Sequence, residues 1–205
     1  MSLQSDIQDV FDAMADGSKD DSYFCEKIAA AIKTFTNGCS LVCMPATLAG
    51  ADSGPSGTFT GAGTAQWQTK GSPIESALKD ICAKMKQQEA DDSDLAQAFA
   101  DGLDDDAPTF TVTISGSTVV PGTPPVTVPS SDSGSVTATF NSAAVKSGLS
   151  ACFNSMKSMS SGGDTLFATT LATLIMTYYT TAVISFTGAT HLAAVAGTIL
   201  VTPGS

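Results

Sequence analysis

Residues 72–115 read SPIESALKDICAKMKQQEADDSDLAQAFADGLDDDAPTFTVTIS, and the chain on either side repeats their pattern. Moved by 71 residues, the distance from Leu3 to Ile74, the apolar positions recur in both directions. Ile74 falls on Leu3 and Val145, Leu78 on Ile7 and Leu149, and Ile81 on Val10 and Cys152. Cys82 falls on Phe11 and Phe153, and Met85 on Met14 and Met156. Beyond a loop the same offset places Leu95 on Phe24 and Leu166, and Leu103 on Ile32 and Leu174. One offset kept across two apolar stripes and the loop between them marks an internal repeat. The chain divides into three units, 1–71, 72–142 and 143–205.

The spacing within a unit predicts its elements. In the first unit Leu3, Ile7, Val10, Phe11 and Met14 lie on one helical face, with Asp6, Asp9 and Asp12 on the other. Asp20, Asp21 and Ser22 are cap residues for a second helix carrying Phe24, Ile28, Ile32 and Phe35, which Asn37-Gly38 ends. CSLVCMP then reads as a strand, TLAGADSGPSG as a loop and TFTGAGTAQW as a returning strand. The second unit repeats this order. Ser72-Pro73 opens a helix, Asp91-Asp92-Ser93 caps the next, and TFTVTIS alternates Phe110, Val112 and Ile114 against threonines. The proline-rich 117–134 reads as a loop whose core cannot lie inside a sheet. In the third unit AVISFTG and GTILVTPGS follow two helices, with a strand phase open to a shift of one residue. The fold class is α+β: three tandem helix-helix-strand-strand repeats of ~71 residues, each marginal alone and stabilised by sharing a core.

Composition excludes several functions. The 205 residues carry a net charge of −11 with only nine Lys and Arg, which argues against nucleic acid as a partner. Aspartates interrupt the apolar positions of the N-terminus, so it does not read as a secretory signal, and synthesis and retention in a cytoplasm are expected. Five cysteines and one histidine, without a Cys-x-x-Cys pair, predict buried free thiols and no metal site. Cys39 and Cys43, four apart on one strand, are too far apart to bridge. The acidic clusters 16–21 and 101–106 lack calcium-loop spacing and read as caps and turns. Gly61-Ala62-Gly63 has no phosphate-loop lysine, and His191 no nucleophile motif. No catalytic residue and no cofactor is expected. Residues 165–201 contain no Asp, Glu, Lys or Arg, but threonines break up the apolar run. A packed helix and strand covered by another protein is expected there rather than a membrane span.

The helix-to-strand segments 21–35 with 41–42, 92–103 with 110–114 and 164–178 with 183–186, and the closing Thr202-Pro203-Gly204, resemble those of small virion proteins of tailed bacteriophages and contractile injection particles. The resemblance covers part of each repeat. It implies a structural role in a tail, neck or baseplate, with other structural proteins of the particle or further copies of the chain as partners. It also implies a virion location after synthesis in the host cytoplasm. Contacts are expected from the hairpin residues Phe110, Val112, Ile114, Val183, Ile184 and Phe186, through strand edges free to pair. The alternative is a membrane-acting or surface-binding protein that uses the uncharged region 165–201. Three units permit two arrangements, a row or a ring about a pseudo-threefold axis.

Overall fold

Side-chain caps open most of the helices in the computed structural model, which describes residues 2–15, 17–51, 58–68, 72–121, 124–190 and 193–203. Ser2 accepts from the Ser5 amide ahead of α1 (Leu3–Met14), and Asp20 from the Tyr23 amide ahead of α2 (Asp21–Gly38). After α3 (Ser72–Lys86), Asp91 and Asp94 form a reciprocal capping box for α4 (Asp92–Asp105). Asn141 caps α5 (Ser142–Met156). Ahead of α6 (Gly163–Thr180) the cap position is Gly162 at φ 79, a left-handed conformation that glycine adopts without steric cost. His191, Asp16 and Gly204 lie outside the described residues.

The α+β class is observed, and the element order helix-helix-strand-strand runs through the chain three times, with the first strand of the first unit split in two. The buried stripes of α1, α3 and α5 fall on the 71-residue offset: Leu3, Ile74 and Val145; Ile7, Leu78 and Leu149. So do α2 and α4, with Cys25, Ile28, Ala29 and Ile32 against Ala96, Phe99, Ala100 and Leu103. In α6 the offset is 72, not 71. Its buried residues Ala168, Leu171, Ala172 and Ile175 match Ala96, Phe99, Ala100 and Leu103 one residue later than expected. Leu166 is partly buried, as Phe24 and Leu95 are, whereas Leu174 is only partly buried where Leu103 is fully so.

The strands are β1 (Ser40–Met44), β2 (Leu48–Ala51), β3 (Thr58–Gln68), β4 (Thr109–Val120), β5 (Val126–Thr139), β6 (Val183–Thr190) and β7 (Ala193–Thr202). They form one antiparallel sheet in the order β1-β7-β6-β5-β4-β3-β2. Its two end strands are the halves of a single run of chain, separated only by residues 45–47. β1 also contacts β3 and β2 contacts β7, so the sheet closes on itself as a barrel. The helices do the same. Each packs on the next in sequence, and α1 packs on α6. Since α2, α4 and α6 run directly into β1, β4 and β6, and β3 and β5 return directly to α3 and α5, the helical ring stands on one end of the barrel. The units are therefore arranged in a ring.

Two aromatic layers fill the axis. Phe11, Phe24, Phe99 and Phe153 surround Phe167 within the helical ring, at centroid distances of 5.6–6.5 Å. Trp67, Phe110, Phe140, Tyr178, Tyr179 and Phe35 pack where helices meet barrel, with Phe140 stacked on Tyr178 at 5.0 Å. Below them the barrel narrows around glycines. A Cβ on Gly116 would stand 2.3 Å from the Thr60 carbonyl oxygen and 2.5 Å from the Cα of Gly61, so only glycine permits this approach of β3 to β4.

Further expectations change: TLAGADSGPSG, expected as a loop, contains β2 at Leu48–Ala51. The proline-rich 117–134 is mostly strand, because β4 reaches Val120 and β5 begins at Val126. Pro129 is tolerated because β5 pairs with β6 only over Ser135–Thr139, which leaves the β6-facing edge of 126–134 open to a residue with no N–H. The strands of TFTVTIS and AVISFTG, in contrast, offer no free edge. β4 lies between β3 and β5, and β6 between β5 and β7.

Candidate interaction surface

Alternation along each strand decides which side chains can meet a partner. Of the six hairpin residues named from the sequence, Val112 and Ile114 are fully buried, and Ile184 and Phe186 are 1% exposed; all four face the barrel core. Phe110 is partly buried in the aromatic layer. These five hold the barrel together and are not on its surface. Val183 alone lies outside, 69% exposed.

The outer wall of the barrel is largely hydroxyl-bearing. Thr64 pairs with Thr113, Thr60 with Ser117, and Thr137 with Ser185. Against this background β1, β6 and β7 carry an apolar group, and β4 and β5 expose Val119 and Val126 near their far ends. Val42 (44% exposed) lies directly opposite Leu200 (53%). Met44, also exposed, follows on β1, and Val183 stands on the outer side of β6 one residue before the Ile184↔Ile199 pair.

Val183 follows directly from α6, and the exposed side of that helix continues the same surface. Thr169 Oγ1 donates to Thr165 O, Thr173 to Thr169 O, Thr177 to Thr173 O and Thr181 to Thr177 O, each at 2.8 Å. Thr180 donates to Met176 O at 2.9 Å. Each hydroxyl proton is used within the helix, so the exposed groups include methyls with reduced demand for water. Met176 lies among them, exposed. After Asp164 the chain has no further Asp, Glu, Lys or Arg. The outer faces of α6 and of β6–β7, with Val42 and Met44 of β1 beside them, thus form an uncharged, threonine-rich and apolar surface on a chain of net charge −11.

The polar groups inside are structural. Tyr178 Oη donates to Leu103 O and to Asp104 Oδ1, both at 3.1 Å, and Asp104 also accepts from Ser142 Oγ, tying α4, α5 and α6 together above the barrel. Burial, and then the charge of Asp104, pushes the Tyr178 phenol far above its ordinary value. Burial pushes Tyr179 up to about 12. Its hydroxyl makes no full hydrogen bond, and Thr36, whose own proton goes to Ile32 O, only moderates that rise. Among the described residues no three His, Cys, Asp or Glu are grouped to hold a metal, and no helix is long and apolar enough to cross a membrane. Compared with known proteins, the chain matches no family model, no curated sequence and no solved structure.

Proposed function

We propose that the protein is a non-enzymatic structural subunit of a phage-like particle, a component of a tail, neck or baseplate. In this reading its uncharged face makes the contacts, with further copies of the chain or with other structural proteins of the particle. The observation that carries the proposal is the exposed apolar group on β1, β6 and β7, continuous with the uncharged face of α6, on a chain of net charge −11. Covering Val42, Val183 and Leu200 favours a complex by about 1 kcal/mol per side chain, before the cost of association is met. Contact is made by the outer face of β1, β6 and β7 and by α6, because the edges of β4 and β6 are occupied.

Light scattering and electron microscopy of the purified chain test this. Wild type is expected to form discrete oligomers. A Val183→Lys, Leu200→Lys double variant is expected to weaken them at least tenfold without a change in melting temperature, since both residues are solvent-facing. Assembly of the double variant equal to wild type would remove the proposal. Co-flotation of monomers with liposomes would favour the membrane-surface alternative instead.

A further inference from the structure

Cys25 on α2 and Cys82 on α3 face each other with their sulfurs 3.8 Å apart, although 57 residues separate them in sequence. None of the five cysteines is disulfide-bonded. Cys39 lies against its own helix, 3.4 Å from Phe35 O, and Cys152 lies 3.9 Å from the sulfur of Met156. Cys43 is buried in the barrel.

The setting of the Cys25–Cys82 pair differs from its counterpart 71 residues on. There α4 meets α5, Ala96 takes the place of Cys25 and Phe153 the place of Cys82. The ion pair beside the site recurs: Lys86 to Asp21 at 3.1 Å in the first seam, Lys157 to Asp92 at 3.1 Å in the second. The surface cavity recurs as well. In the second seam it measures about 200 Å³ and is lined by Asp92, Ser150, Asn154 and Lys157, with neither Ala96 nor Phe153 among its walls. In the first it measures about 310 Å³, and its floor is formed by Cys25 and Cys82. Cysteine in the place of phenylalanine leaves a wider seam, with Cys82 at the pocket and Cys25 buried behind it. Lys79 and Lys86, one turn before and one turn after Cys82, line that pocket together with Asp20 and Asp21.

We infer that Cys25 and Cys82 are a redox dithiol, converted by a small disulfide reagent into a disulfide that staples α2 to α3. Cys82 is the attacking residue, being half-buried at the pocket where Cys25 is fully buried. Its thiolate attacks one sulfur of the reagent, forming a mixed disulfide and releasing one reagent thiolate, which takes up a proton. Cys25 then gives up its proton and attacks the Cys82 sulfur, displacing the second reagent thiolate. Two protein thiols and one disulfide reagent become one protein disulfide and two reagent thiols. The direction of attack agrees with the electrostatics. The hydrogen bond from Cys25, with Lys86 nearby, holds the Cys82 thiol below its ordinary value, whereas Cys25 is pushed well up by the same contact and by burial.

The test is to treat the native full chain with glutathione disulfide, then measure intact mass, peptide linkage and melting temperature. Wild type is expected to lose two hydrogens, to yield a single Cys25–Cys82 linkage, and to melt about 5–10 °C higher, reversed by dithiothreitol. Cys25→Ser is expected to retain one glutathione on Cys82, and Cys82→Ser none on Cys25. A wild type that stays reduced in the native state overturns the inference. So does one that keeps glutathione without closing the bond, or that links other cysteines. The wild-type measurement suffices even if a variant does not fold.

Discussion

Tyr178 and Tyr179 are neighbours in sequence with opposite hydrogen-bonding situations, and substitutions should separate them. Tyr178→Phe leaves Leu103 O and Asp104 without their shared donor and is expected to destabilise by about 1–2 kcal/mol. Tyr179→Phe removes a buried hydroxyl with no full partner and is expected to be neutral or to stabilise by up to about 1 kcal/mol. Denaturant unfolding of the two variants checks the pair. Both phenols are raised in the folded state, so their effect on stability appears at alkaline pH. Below about 10 the tyrosines are neutral in both states and contribute no pH dependence. Above it the unfolded phenols ionise first, and stability falls with rising pH until Tyr179 itself ionises near 12. The slope between pH 10 and 12 is expected to be shallower in either Phe variant than in wild type.

At the scale of elements, the helices were readable because an apolar stripe at 3.6-residue spacing needs only local sequence. The one misplacement, in α6, arose where two apolar residues stand side by side: Leu166 beside Phe167, and Leu174 beside Ile175. Either phase satisfies the pattern, and only packing against α1 and α5 selects the second. The alternation of TFTVTIS correctly divided core from surface, and it was this division that turned five of six hairpin residues away from any partner. What sequence could not supply was long-range pairing, such as Ser40 with Thr202. That pairing closes the barrel and takes away the strand edges from which contacts were expected. The Cys25–Cys82 pair was hidden for the same reason, since no spacing rule joins residues on different helices. Its one visible trace was a cysteine at an offset occupied elsewhere by Phe11 and Phe153. Two substitutions test the closed barrel. Gly116→Ala is expected to destabilise by about 3 kcal/mol, since its Cβ would meet backbone atoms that cannot move aside. Thr113→Pro, between two paired neighbours, is expected to abolish folding itself, visible as loss of cooperative melting, and not assembly alone.

On the scale of the whole molecule, three units that would be marginal singly gain from ring closure, because no unit leaves an apolar flank exposed. The exposed ion pairs Lys86–Asp21 and Lys157–Asp92 mark two seams of the ring but contribute little to its stability. A closed ring has no natural end at which to add further units, so the association proposed above uses its outer face. The proposed contact face is the uncharged side of the third unit with Val42 and Met44 beside it. Three methionines of nearly equal exposure provide the measurement: Met44 at 39%, Met176 at 41% and Met159 at 42%. Met44 and Met176 lie on the proposed contact face, while Met159 lies in the loop between α5 and α6. Hydroxyl-radical footprinting of the free and assembled protein, read by mass spectrometry, compares all three within one sample. The expected result is strong protection of Met44 and Met176 on assembly, with Met159 oxidised as fast as before. Assembly that leaves Met44 and Met176 fully reactive would contradict the account.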